Sequence, residues 1–267
     1  MLKMLRALFD RPPGGPAPAV PAGQRVYAVG DVHGCLAQFN VLIAAIEADD
    51  AARDAANTTI VLLGDLIDRG PDSAGVIRAA RALQLRRKVR ALMGNHEEMM
   101  LEALESEEIL KHFLRYGGRE TVLSYPVDPD RYHQAEIAEA LALMRAAVPR
   151  EDIEFLRSFE DQVHIGDYLF VHAGVRPDVA LDQQKLADLR WIREPFLSHS
   201  GSFGPVVVHG HTIFDAAQFR PNRIAIDTGA YRTGRLTALG LEGTSRWLIE
   251  ATTDEQGAVS AALRNLA

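Results

Sequence analysis

Short apolar runs punctuate the chain, and several end abruptly in a polar, glycine-flanked cluster. Val26–Val29, Ile60–Leu63 and Ala91–Met93 are too short for helices and predict buried β-strands. Between Gly34 and Asn57, Leu36, Phe39, Leu42, Ile43 and Ile46 recur at helical spacing and complete a first βα unit. Asp72–Leu85 predicts a second helix, opened by Pro71 and the acidic Asp72, and His96–Leu104 a third. Alternation with these lengths predicts parallel strands joined by right-handed crossovers. Two later runs, Tyr168–Val171 and Val206–Val208, repeat the device. Further strands are expected at Arg223–Asp227, Arg235–Leu241 and Arg246–Ala251, separated by glycine turns.

From Ser106 to Phe159 the pattern changes to helices and turns without strand runs: Glu107–Tyr116, His133–Ala147 and Arg150–Ser158. This reads as a helical insertion covering the rim, a candidate lid or specificity element. Arg11–Gly23, rich in proline, glycine and alanine, reads as a flexible leader. Residues 1–24 are therefore expected to precede a single domain over 25–267.

Composition narrows the class. With 47% hydrophobic and 24% charged residues, the 267-residue chain is ordinary for one large globular domain. A net charge of −7 argues against a broad nucleic-acid or anionic-membrane footprint. No apolar run approaches the roughly 20 residues of a spanning helix. The apolar stretch within Met1–Asp10 is broken by Lys3 and Arg6, unlike a secretory signal. The single cysteine, Cys35, fits a reducing compartment, so a cytoplasmic location is expected. Nothing in the pattern fixes an oligomeric state.

The polar clusters carry the chemistry. Gly30-Asp31-Val32-His33-Gly34, Gly64-Asp65-Leu66-Ile67-Asp68-Arg69-Gly70 and Gly94-Asn95-His96-Glu97 follow the first three runs; His172 and His209-Gly210-His211 follow the later two. The C-terminal edge of such strands is where α/β sheets bind ligands. Asp31, His33 and Asp65 can hold one divalent metal; Asp65, bridging, can hold a second with Asn95, His172 and His211. Only two of these ligands are charged, against four positive charges on two dications. The surplus suits a phosphate dianion and a hydroxide, and argues for phosphoester chemistry over a closed structural site. The mixed oxygen and nitrogen set accepts manganese, iron, zinc or magnesium, with availability deciding.

These motifs, in this order, resemble the calcineurin-like metallophosphoesterase superfamily. Within it they are similar to the phosphoprotein phosphatase branch of bacterial and phage (lambda-type) serine/threonine phosphatases. The likeness runs from about Arg25 to Leu241 and includes Gly94–Met100 and Trp191-Ile192-Arg193-Glu194. It implies a β-sandwich of mixed sheets flanked by helices, with the helical insertion over the metal site. It also implies a phosphomonoesterase acting on phosphoserine and phosphothreonine, or on a phosphorylated small molecule, by direct attack of a metal-bridging hydroxide. His96 is the implied general acid, oriented by Asp68; Arg69 and Arg193, with Asn95, are the implied phosphate contacts.

Three rivals stand beside this reading. Symmetrical diadenosine tetraphosphate hydrolases resemble the same branch, but typically carry alanine at the position of Asp68 and aspartate at that of Glu97. A phosphodiesterase would be expected to carry a histidine where Ile213 stands. A non-catalytic protein-binding scaffold would have lost catalytic residues that are all present here. Tyr231 is readable either as a pocket residue or as packing, and His209 as a residue of the core.

Overall fold

In the computed structural model, which describes residues 17–266, the apolar runs become strands of two stacked sheets. Along the chain these are β1 (Gln24–Val29), β2 (Asn57–Leu62), β3 (Val89–Ala91), β4 (Gln162–Ile165), β5 (Tyr168–Val171) and β6 (Val206–His209). They continue with β7 (Gln218–Phe219), β8 (Arg223–Ala225), β9 (Arg235–Glu242), β10 (Ser245–Thr253) and β11 (Val259–Asn265). One sheet has the order β11-β10-β9-β1-β2-β3 and the other β4-β5-β6-β8-β7. β1, β2 and β3 are parallel, with Val29 opposite Leu62 and Leu62 opposite Ala91, while β9 runs antiparallel to β1. β5, β6 and β8 are also parallel, flanked by antiparallel β4 and β7. Both sheets are mixed, as the resemblance implied.

The side-chain period of two builds the sandwich. Val26 and Ala28 of β1 pack with Phe170, Val208 and Ile224 between the sheets. Tyr27 and Val29, on the opposite face, join a cluster with Phe39, Leu42 and Ile46 of helix α1 (Leu36–Ala51). Helices α2 (Ser73–Gln84) and α3 (Asn95–Ala103) extend that layer. The N-cap of α2 is Asp72, whose carboxylate accepts from the Gly75 amide at 2.7 Å.

The insertion supplies α4 (Glu107–Phe113), a π-turn over Leu114–Gly118, α5 (Arg119–Ser124), α6 (Pro129–Gln134), α7 (Ile137–Ala147) and α8 (Arg150–Arg157). The helix expected through Tyr116 stops at Phe113, because Tyr116 (φ −99°, ψ 16°) and Gly117 (φ 109°) leave helical values. Leu110, Phe113, Val122, Leu141, Met144 and Phe155 join the cluster that holds Ile77, Met99 and Met100. The insertion is therefore a layer packed beside α2 and α3, and its stretch Gly117–Ser124 touches the loop after β2 and the start of α2. On the outer face of the second sheet, α9 (Leu186–Trp191) and the chain after it set Leu189, Ile192 and Phe196 against Leu169, Val171 and Val207. A last short helix, α10 (Ala230–Thr233), precedes β9.

Residues 17–23, read from composition as the end of a leader, lie against the fold. Val20 is 2% exposed and donates to the Gly243 carbonyl, and the Ala19 amide donates to the Asp167 carboxylate. Residues 1–16 of that stretch lie outside the described residues. No helix among the described residues is long and apolar enough to cross a membrane.

Candidate metal centre

The loops after β1 and β2 interlock, since the Val32 and His33 amides donate to the Asp65 carbonyl. The loops after β5 and β6 are joined by Gly210 N–H to the His172 carbonyl at 2.8 Å. His172 Nδ1 meets the Leu63 carbonyl at 2.8 Å, bringing the two sheets' rims together. His33, Asp65, Asp68, Arg69 and His211 all hold φ between 45° and 74°. Left-handed backbone is uncommon outside glycine, and here it turns these side chains inward. Gly64 (φ 95°) precedes Asp65 because a Cβ there would stand 2.7 Å from the Gly94 nitrogen.

Asp65 is the hub. Its Oδ1 lies 3.4 Å from His172 Nε2 and accepts the His96 amide at 3.1 Å, at the start of α3. Its Oδ2 lies 3.6 Å from His33 Nε2 and 3.9 Å from His96 Nε2. Two buried triads share it: His33, Asp65 and His96, with candidate ligand atoms within 4.8 Å of one another, and Asp65, His172 and His211, equally close. The first triad contains His96 where the sequence pattern places Asp31. Asp31 lies on the other side, its Oδ2 accepting the His211 amide at 2.9 Å and its Oδ1 without a partner. Asn95 joins the second triad, its Oδ1 2.8 Å from His211 Nδ1 and 3.1 Å from His172 Nε2.

The tautomers test whether a metal fits. His33 Nδ1 faces the Ile67 carbonyl at 2.8 Å, and His172 Nδ1 faces that of Leu63, so each ring commits its Nδ1 proton and turns the Nε2 lone pair inward. His172 Nε2 then confronts two oxygens, from Asp65 and Asn95, an electron-rich meeting that only a cation or an added proton relieves. Accordingly, burial opposes charge on His172 but Asp65 outweighs it, lifting the imidazole to about 10. Burial also resists the charge of Asp65, yet His172, His96 and His33 hold it well below the carboxylate range. Burial and the neighbouring Asp227 push Asp31 well above that range. Burial lowers His33 to about 3 and, with repulsion from His172, His211 to about 2. With the unpartnered Asp31 Oδ1 and His211 Nε2, this donor set fits divalent cations.

Beside the hub, His96 Nδ1 meets Asp68 Oδ2 at 2.5 Å, both residues being buried. Burial works against charge on His96, but Asp65 and Asp68 prevail and its pKa rises. Arg69 donates to His96 Nε2 at 2.8 Å and to His33 Nε2 at 3.0 Å. Tyr231 packs at this centre, its ring 5.3 Å from that of His33 and 5.0 Å from the Arg69 guanidinium. Arg193 stands apart from this network on the exposed rim, and its charge reaches His211. His209 is buried against Phe196, a core position.

Glu97 escaped the sequence reading as a structural residue. Its carboxylate accepts the Asp65, Leu66 and Gly94 amides at 2.9, 2.7 and 3.1 Å, clamping two motif loops. The available signal was an acid three residues after Gly94, the spacing of a capping box. Thr121, Ser73 and Asp227 were also missed; no motif marks them.

A two-sheet sandwich with an aspartate shared between two histidine clusters on one rim defines a metallophosphoesterase-type centre. Residues 24–236 match the calcineurin-like phosphoesterase family, and the chain belongs to it. It is 33% identical over 184 residues to a symmetrical bis(5'-nucleosyl)-tetraphosphatase of Acidovorax sp. (strain JS42), covering 68% of this chain and 51% of that protein. The chain thus spans about half the length of that relative. It is 31% identical to serine/threonine-protein phosphatase 1 of Salmonella typhimurium (strain LT2), covering 80% of this chain and 90% of that protein. Among solved structures it is similar to a cold-active protein tyrosine phosphatase (TM-score 0.55, 22% identity), covering 91% of this chain and 81% of that one.

Proposed function

We propose that this chain is a metal-dependent phosphomonoesterase that hydrolyses phosphoserine and phosphothreonine esters in proteins or peptides. Asp31, His33, Asp65, Asn95, His172 and His211 would hold two divalent ions, manganese foremost, with Asp65 shared by both clusters of donors. When bound, such ions supply Lewis-acid stabilisation and generate the attacking nucleophile from water. The observation that carries the substrate reading is the buried 2.5 Å contact between His96 and Asp68. Asp68 accepts the Nδ1–H hydrogen bond and fixes the ring, so that the remaining nitrogen, Nε2, faces the reacting side. The Asp68 carboxylate paired with Nδ1 favours the imidazolium, which, once Arg69 turns to the phosphate, can protonate a leaving alkoxide from Nε2. An alkoxide is a strong base and needs that proton; a nucleoside polyphosphate leaving group is a weak base and needs it far less. Arg69, a planar fork already at the centre, and Arg193 on the rim receive the phosphate oxygens.

The match to a serine/threonine phosphatase over nine-tenths of its length supports the same reading. A second reading, bis-nucleoside polyphosphate hydrolysis, draws on the tetraphosphatase relative and on Tyr231, 37% exposed beside Arg69 and open to base stacking. Steady-state hydrolysis of a phosphothreonine peptide, diadenosine tetraphosphate and bis-p-nitrophenyl phosphate, with manganese added, decides between them. The peptide is expected to dominate; dominance of the dinucleotide or the diester overturns the phosphatase reading.

A further inference from the structure

The Asp68-Arg69 step is held from outside its own loop. The Thr121 hydroxyl, on α5 of the insertion, donates to Asp68 Oδ1 at 2.6 Å. The Asp68 amide is shared between Thr121 Oγ1 and Ser73 Oγ, each at 2.9 Å. One residue on, the Arg69 amide donates to the Gly117 carbonyl at 3.1 Å. Gly117 also lets the Arg69 side chain pass, since a Cβ there would stand 2.6 Å from Arg69 Cγ. A third tie fixes α5 to the start of α2, with the Ala74 amide donating to Ser124 Oγ at 3.0 Å. Thr121, Ser73 and Asp68 are all fully buried, so these bonds face no competition from water.

We propose that Thr121 is a positioning residue for the proton-donating step, through which the helical insertion sets the geometry of the acid pair. A carboxylate with one oxygen free can rotate about its Cβ–Cγ bond and lose the His96 contact. The Thr121 hydroxyl occupies Oδ1 and leaves Oδ2 aimed at His96 Nδ1. Asp68 itself has a left-handed backbone (φ 74°), and the shared amide bond is what holds that conformation. Gly117 performs the parallel task for Arg69, so two consecutive residues with different duties are set by one turn of the insertion.

This rests on His96 acting as general acid, and leaving-group dependence tests both claims separately. An alkyl phosphate needs a proton on its leaving oxygen and p-nitrophenyl phosphate hardly does. Thr121→Val is expected to lower kcat on the alkyl ester on the order of tenfold, and on the aryl ester by less than about threefold. Thr121→Ser, which keeps the hydroxyl, restores the alkyl rate; Thr121→Cys carries the comparison if the valine variant does not fold. Equal losses on both esters would mean simple loosening of the fold and overturn the proposal. His96→Asn is measured alongside. If it discriminates between the esters and Thr121→Val does not, only the role of Thr121 fails; if it does not discriminate, the acid assignment fails as well.

Discussion

His33, Asp65, Asp68, Arg69 and His211 each adopt a backbone conformation that L-residues avoid, at roughly 1 kcal/mol apiece. Such positions persist only where neighbours over-determine them, and Glu97 does this for Asp65. Three amides converge on its buried carboxylate, from Asp65, Leu66 and Gly94. Glu97→Gln keeps the size but turns an NH₂ group toward N–H donors, leaving at least one buried amide unsatisfied. The expected loss is about 2 kcal/mol of unfolding free energy, measured by urea denaturation. Because the clamp also aims Asp65, metal affinity should fall on the order of tenfold. Retention of both stability and affinity would show that the three bonds are dispensable.

Whole elements are joined at the pole opposite the metal centre by one buried cation. Arg25, at the start of β1, donates to Glu242 at the end of β9, to Asp50 on α1 and to the Asp54 carbonyl beyond it. Arg25→Met keeps the stem but leaves Asp50 with only Arg87 and the Thr58 hydroxyl, and should cost about 2 to 3 kcal/mol while leaving metal binding unchanged. The same junction responds to acid. Burial opposes the charge of Asp50, but Thr58, Arg25 and Arg87 outweigh it and its folded pKa is depressed. Its contribution is thus fully present above the ordinary aspartate value near 4 and is lost as pH falls through the lowered one. Denaturation midpoints measured between pH 5 and 2 should show the Arg25→Met variant losing less stability on acidification than the parent; parallel curves would remove Asp50 from the acid response.

Much of this level was legible beforehand, for identifiable reasons. β1, β2, β5 and β6 are continuous apolar runs because both faces are covered, so the pattern itself reports them. β11 was missed because Val259–Asn265 is an edge strand with nearly every residue exposed, which leaves no burial pattern to read. The candidate metal-site side chains were legible because each lies within four residues after the end of an apolar strand. Thr121 was not, because its partner Asp68 is 53 residues away and only the packing of α5 on α2 brings them together.

For the molecule as a whole, the telling quantity is charge inside the fold. Asp31, Asp65, Asp68, Glu97 and Asp227 are all buried around one rim, in a chain whose net charge is already −7. Isolated buried carboxylates are untenable, so this interior needs cations, and without metal it recruits protons. His172 takes one, its pKa raised to about 10 by Asp65 against the effect of burial. A metal arriving at neutral pH must displace that proton, since Nε2 cannot serve a proton and a cation together. Metal uptake should therefore release about one proton or more per filled centre, with apparent affinity rising as pH rises toward 10. Titration calorimetry of manganese into metal-free protein, in two buffers of different ionisation enthalpy, measures that number directly. Heats that agree between buffers would mean no net proton leaves, and His172 would then be already neutral before the metal arrives. Asp65→Asn offers the complementary check. It removes the charge that raises His172, so proton release should shrink together with affinity, by at least about tenfold.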